Sequence, residues 1–182
     1  MEDVFKQYNS LTHDNSTGTD KGTTHSYLGV YEEHFRPIRD APVRMLEIGV
    51  YSGASLCAWN EYFTNNSKEI HGIDICPDRL AYTVNNYHVL DATEDSTPDI
   101  LGGTWDIVID DGSHEPDHQF KTLSLFGRRI NPGGFYIIED IIHTSIANGL
   151  KMMGQEMGLT GQVYDMRHVK NRNDDIILVL KN

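Results

Sequence analysis

Val43-Arg44-Met45-Leu46-Glu47-Ile48-Gly49-Val50-Tyr51-Ser52-Gly53 decides how this 182-residue chain is read. An apolar run of strand length ends in two glycines four positions apart, and helical spacing follows at 54–64. Glycines at 49 and 53 permit positive φ and a close backbone approach, and the following helix aims its N-terminus at whatever lies beyond the strand. The spacing is Gly-x-x-x-Gly. The tight pyrophosphate turn of a dinucleotide site lacks its second glycine here, so the turn points to a nucleoside-type ligand.

Outward from this turn, short apolar runs alternate with helix-length segments. Strands are expected at 43–48, 70–73, 88–90, 105–109 and 134–138, and helices at 54–64, 78–86, 115–129 and 144–157. Such alternation predicts a parallel sheet covered by helices on both faces. Two further runs, 162–168 and 176–180, are joined by a turn around Asn171-Arg172-Asn173 and predict an antiparallel hairpin. The expected fold class is α/β, Rossmann-like, with a mostly parallel seven-stranded sheet ending in that hairpin. Towards the N-terminus, Val4, Phe5, Tyr8 and Leu11 share one helical face, and Tyr27, Leu28, Tyr31 and Phe35 share another before Pro37. Between them the polar stretch 12–24 has no periodicity and is read as a loop, lid or arm. The expected organisation is a single globular unit, with N-terminal helices and lid at 1–40 and a ligand-binding domain at 41–182.

A net charge of -12 and the lack of a dense basic patch argue against a nucleic-acid partner. No run reaches the ~20 apolar residues that span a bilayer, and the first residues lack a signal-peptide core. Two cysteines are too few for a disulfide framework or a four-sulfur zinc site. A soluble, cytoplasmic protein with no membrane partner is expected.

Acidic side chains gather where the strands end. Asp74 follows the second strand, placed to accept ribose hydroxyls of an adenosyl group, and Asp91 follows the third, placed for the adenine edge. With Glu47, Gly49, Tyr51, Ser52, Gly53 and Asp110 they make the candidate cofactor-binding set. Each aspartate alone reads equally well as a helix cap or turn residue. The fourth and fifth strands end in Asp110-Asp111-Gly112-Ser113-His114 and Ile138-Glu139-Asp140, and neighbouring strands would bring Asp111, Glu139 and Asp140 to one point. Three carboxylates in one place call for a cation. Oxygen ligands suit magnesium, and manganese or calcium satisfy the same ligand type. His114, in the turn beyond Asp111, is the candidate general base, with His143, His118 and His25 as alternatives.

These motifs, together with Gly18-Thr19-Asp20-Lys21, His25, Tyr27 and Tyr31 and with Pro132-Gly133-Gly134, resemble the magnesium-dependent class I methyltransferases. That group includes macrolide-sugar O-methyltransferases and rhamnosyl O-methyltransferase or cephalosporin-hydroxylase-like proteins. The resemblance runs from about Gly18 to the C-terminus. It implies S-adenosylmethionine held by Glu47, Gly49, Asp74 and Asp91, a metal on Asp111, Glu139 and Asp140, His114 as base, and 18–27 as a lid over the cofactor. The chain departs from the pattern where Ile141-Ile142 precede His143-Thr144-Ser145 and where Ile146 stands in place of an aromatic residue. It also shows no counterpart of the extra N-terminal domain of the larger sugar enzymes. The implied activity is methyl transfer to a hydroxyl of a sugar or glycosylated small molecule. A catechol-type acceptor or a non-catalytic S-adenosylmethionine-binding module are the alternatives. A second copy of the chain, in a homo-oligomer, is a candidate source of further pocket walls.

Overall fold

Successive residues of a strand face opposite sides of a sheet, and this chain fills both sides with apolar side chains. The computed structural model describes residues 1–9 and 17–182. Its strands are β1 (Arg44–Ile48), β2 (Glu69–Asp74), β3 (Tyr87–Val89), β4 (Trp105–Asp110), β5 (Ile130–Ile138), β6 (Thr160–Asp165) and β7 (Ile176–Lys181), in the order β3-β2-β1-β4-β5-β7-β6. The first five pair in parallel, and β7 lies antiparallel between β5 and β6. The helices are α1 (Glu2–Tyr8), α2 (Leu28–Phe35), α3 (Ala54–Tyr62), α4 (Thr97–Leu101), α5 (Pro116–Phe126), α6 (Thr144–Glu156) and α7 (Arg167–Lys170). The result is the expected Rossmann-like α/β sheet with an antiparallel C-terminal end.

Alternation divides the core in two. Leu46, Val108, Tyr136 and Leu178 pack with Leu123 and Phe126 of α5 and Leu150 of α6. Met45, Ile107, Ile137 and Val179 face the other way, onto Trp59 of α3, Phe5 of α1 and Tyr31 and Phe35 of α2. The N-terminal helices therefore complete one face of the sheet. Each such buried side chain contributes about 1.5–3 kcal/mol over its exposed state. Among the described residues no helix is long and apolar enough to cross a membrane.

The helix expected at 78–86 is absent. Only one 3-10 turn forms, Pro77–Arg79. The amides of Ala81 and Tyr82 instead bond to the Ser52 carbonyl, and Leu80, Tyr82 and Val84 lie against Gly53. Packing on the glycine turn thus takes the donors that a helix would have used. The hairpin also differs from expectation. β6 ends at Asp165, α7 follows, and Asn171 in the left-handed conformation turns the chain back. Two ion pairs of neighbouring residues, Arg167 with Asp165 and Arg172 with Asp174, bracket this longer connection. α4 lies where the sequence pattern predicts no helix, and β5 begins four residues before its expected start at 134. Leu11 and the 12–16 part of the polar stretch lie outside the described residues.

β1 and β4 are neighbours where the strand order reverses, and their C-terminal turns touch. At Gly49, with φ +85°, an added Cβ would collide with the Asp111 carbonyl, whereas Gly133, with φ +80°, has open space around it. Gly133→Ala should cost about 1–2 kcal/mol for the left-handed backbone alone. Gly49→Ala should cost clearly more, because the collision adds to the strain. Urea denaturation of the two variants checks the order, and equal losses would remove the contact from the account.

Candidate functional site

The turn after β1 is held from β2. Asp74 Oδ2 accepts the Val50 and Tyr51 amides at 3.0 and 2.9 Å, and its Oδ1 accepts Cys76 N at 2.8 Å. Tyr51 adopts φ +50°, a left-handed conformation that these bonds support, and Gly53 at φ +86° opens α3. Asp74 thus fixes the turn and also lines the space beside it. Two cavities meet there. One, of about 290 Å³, is lined by Gly49, Asp74, Ile75, Leu90, Asp91 and Asp110 among others. The second, of about 370 Å³, is lined by Gly18, Thr19, Asp20, Tyr51, Ser52 and Asp140 among others. Gly49, Tyr51, Arg79, Asp111, Gly112 and His114 border both. The described part of the polar stretch therefore forms a wall of the second cavity.

Of the candidate cofactor residues, Gly49, Tyr51, Ser52, Asp74, Asp91 and Asp110 line these cavities, and Gly53 shapes the turn from behind. Glu47 lies beneath the turn, fully buried, and accepts the Ser55 hydroxyl at 2.8 Å. Asp91 Oδ1 accepts the amide and hydroxyl of Thr93, and these bonds hold its carboxyl below the usual range. Asp110 is bound by the Thr122 hydroxyl, and burial pushes its carboxyl up to about 6.

The acidic strand ends converge as β4 and β5 pair. Asp111 Oδ1 lies 3.2 Å from His114 Nε2, and Asp140 Oδ2 lies 3.6 Å from the same nitrogen. One ligand atom from each of Asp111, His114 and Asp140 falls within 4.8 Å of the others, the spacing of a metal-donor set. Glu139 is placed differently. Both its oxygens meet the Lys21 ammonium, at 2.8 and 2.9 Å, and Oε1 also accepts the Tyr31 hydroxyl. Lys21, fully buried, reaches Asp111 Oδ2 at 2.6 Å and Glu47 Oε1 at 3.3 Å as well. Burial alone would lower the pKa of the lysine. The charges of Asp111, Glu139 and Glu47 outweigh it and hold the ammonium firmly protonated.

The same fields act on the other groups. Burial raises Asp111, but Lys21 and then His114 overcome this and bring it to about 2. Burial and the Asp111 charge lift Asp140 to about 6. Burial would lower His114, yet its bond to Asp111 and the charges of Asp111, Asp140 and Glu139 raise it to about 9. Of the other histidines, His118 bonds Ser113 on the surface, and His143 caps α6 by accepting the Ser145 amide. His25 is buried, with Nδ1 3.2 Å from Asp140 Oδ1 and 3.3 Å from Asp175 Oδ1.

Sequence reasoning gave Lys21, Tyr27 and Tyr31 no role at the acidic centre. Lys21 is a charged residue inside a polar stretch, which composition marks as solvated, and the tyrosines share a helical face that fits a core. Only the gathering of unpaired acids hinted that an internal cation was needed.

A family model described as "Methyltransferase domain" matches residues 46–141. The chain is 36% identical over 136 residues to 8-demethyl-8-alpha-L-rhamnosyl tetracenomycin-C 2'-O-methyltransferase of Streptomyces olivaceus, covering 68% of this chain and 35% of that protein. It is 34% identical over 131 residues to mycinamicin VI 2''-O-methyltransferase of Micromonospora griseorubida, covering 66% and 32%. The chain thus spans about a third of the length of these curated relatives. Among solved structures it resembles MycE methyltransferase in complex with Mg, SAH and mycinamycin VI, with a TM-score of 0.66, 25% identity, and coverage of 90% of this chain and 52% of that one. An Archaeoglobus fulgidus SAM-dependent methyltransferase, at 17% identity and a TM-score of 0.60, shares the fold. The matched span runs from β1 through the end of β5 and takes in both acidic motifs, and on that basis the chain belongs to the methyltransferase-domain family.

Proposed function

We propose that the chain transfers a methyl group from S-adenosylmethionine to a hydroxyl of a sugar-containing small molecule, at a site that holds magnesium, with manganese as an equivalent. The observation that carries this reading is the grouping of Asp111 and His114, which border both cavities, with Asp140, which lines the larger one. The relatives named for methylation of sugar hydroxyls, and the MycE complex with Mg and SAH, support it. A cytoplasmic setting belongs to the same proposal and agrees with the free thiols Cys57 and Cys76.

The donor set fits the cation. Asp111 and Asp140 present carboxylate oxygens of the hard type that magnesium takes, whereas both oxygens of Glu139 are already held by Lys21. A divalent ion there supplies Lewis acidity to an acceptor hydroxyl. Asp74 and Asp91 border the narrower cavity with carboxylate oxygens suited to the hydroxyl and amino groups of an adenosyl moiety. The proton of the acceptor hydroxyl passes to His114 Nε2. The freed oxygen pair forms the new C–O bond as the donor's S–C bond breaks, and the sulfonium leaves as a neutral thioether. His114 must be neutral to serve, and the carboxylate charges that raise its pKa are the ones that cation binding by Asp111 and Asp140 cancels.

The reading is tested with methyl-labelled S-adenosylmethionine and a panel of rhamnosylated and other glycosylated acceptors, with and without magnesium. Label should enter a sugar hydroxyl only when magnesium is present, and transfer that ignores chelation would overturn the metal role. Asp111→Asn should lower magnesium-dependent turnover at least ~100-fold while calorimetric S-adenosylhomocysteine affinity stays within a few-fold. For His114→Ala the expected fall in kcat is about 10²–10⁴-fold, and a rate near that of the wild type would assign the base elsewhere.

A pH dependence follows for the metal-free protein. The folded state holds the His114 proton up to about 9, above the ordinary value of 6.5. The stability this adds is complete below 6.5 and is lost as pH rises through 9, in an amount reduced by the 40% exposure of the side chain. Thermal unfolding between those pH values should slope downward in the wild type and flatten in His114→Gln.

A further inference from the structure

The Lys21 to Tyr31 segment reaches every acidic residue of the centre, and its contacts are selective. On Asp111, the Lys21 ammonium takes Oδ2 at 2.6 Å and leaves Oδ1 facing His114. On Asp140, the Tyr27 hydroxyl donates to Oδ1 at 2.6 Å and His25 Nδ1 lies 3.2 Å from the same oxygen, which leaves Oδ2 facing His114. On Glu139, Lys21 and Tyr31 hold the carboxylate between them. Each aspartate is thus gripped at one oxygen and turns the other toward His114, and all three residues line the 370 Å³ cavity.

Backbone geometry points the same way. Asp140 is held at φ +54°, an uncommon left-handed conformation for a residue other than glycine, and its amide donates to the Tyr27 oxygen at 3.3 Å. One hydroxyl therefore fixes both the strained backbone and the side chain of Asp140. Tyr27 is fully buried, and its ring stacks on His25 at 4.9 Å with 20° between planes, so neither group is free to wander. His25 is anchored in turn by Asp175, a fully buried carboxylate whose Oδ1 also accepts the Ser26 amide at 3.2 Å.

We infer that Lys21, His25 and Tyr27 are positioning residues that turn one oxygen of Asp111 and one of Asp140 toward a shared cation, so that the N-terminal segment builds the metal site as well as walling the cavity. This rests on the metal-dependent reading above. Partners that orient ligands in this way typically change metal affinity by about 10–100-fold when removed.

The test is Mn²⁺ binding to the full chain without cofactor or acceptor, read from the electron paramagnetic resonance signal of the free ion. Tyr27→Phe keeps the ring and removes only the hydroxyl. It should bind Mn²⁺ about 10–100-fold more weakly, with an unchanged near-ultraviolet circular dichroism spectrum and S-adenosylhomocysteine affinity within twofold. His25→Ala should weaken Mn²⁺ binding too, and His25→Asn, which can place a donor near the Nδ1 position, should restore most of it. If Tyr27→Phe and His25→Ala both bind Mn²⁺ as the wild type does, while Asp111→Asn does not bind, the positioning role is wrong and the metal site stands. If the wild type and Asp111→Asn take up Mn²⁺ alike, the metal site itself is wrong and the positioning role falls with it.

Discussion

One buried ammonium holds three strand ends together. Lys21 meets Glu47 at the end of β1, Asp111 just past β4 and Glu139 just past β5, with Glu47 and Glu139 buried and Asp111 partly open to the cavities. Desolvation offsets most of what such a cluster gains, so ion pairs of this kind are a poor source of net stability. Taking away the lysine alone would leave clustered carboxylates without their shared counter-charge, a loss of about 3–5 kcal/mol in comparable cases. The cluster therefore fixes an arrangement more than it deepens the fold's free-energy well. It also ties the N-terminal segment to the C-terminal edge of the sheet, where apolar packing alone would leave the strand ends repelling one another.

Backbone strain is concentrated at the same place. Four non-glycine residues among those described have positive φ, and three of them, Tyr51, His114 and Asp140, line the larger cavity. Such conformations cost about 1–3 kcal/mol each and persist where the surroundings over-determine them. Here the surroundings can be named: Asp74 bonds the Tyr51 amide, Asp111 bonds the His114 ring, and Tyr27 bonds the Asp140 amide. The uncommon backbone conformations thus fall on residues that line the cavity and that neighbouring side chains hold in place.

The sheet was legible because its signal is periodic. Alternating residues such as Ile107 and Val108, or Ile137 and Ile138, divide cleanly between two cores, and each strand can be found without knowing its neighbours. The glycine turn and the acidic strand ends were legible for a related reason, since residue type and position beyond a strand already define their surroundings. Residues 80–86 were not legible as a loop, because their conformation is decided by the Ser52 carbonyl and by Gly53, which are remote in sequence. Lys21 escaped for the same reason. Its three carboxylates come from 26, 90 and 118 residues away, and nothing local distinguishes it from a solvated lysine.

At Gly49 the requirements of the fold and of the site become one. The β1 and β4 turns approach so closely that Gly49 faces the Asp111 carbonyl and the Gly112 Cα with no room for a side chain. The same pair of glycines borders both cavities, so the partition between them is bare backbone at this point. At this point the way from the smaller cavity toward Asp140 in the larger one is not blocked by a side chain of either glycine. Any residue larger than glycine at position 49 would push the strand ends apart, and in doing so would disturb the boundary of both cavities. Close packing of two neighbouring strands is what gives the site its continuity, and the glycine turn follows from that packing as much as from any contact with a ligand.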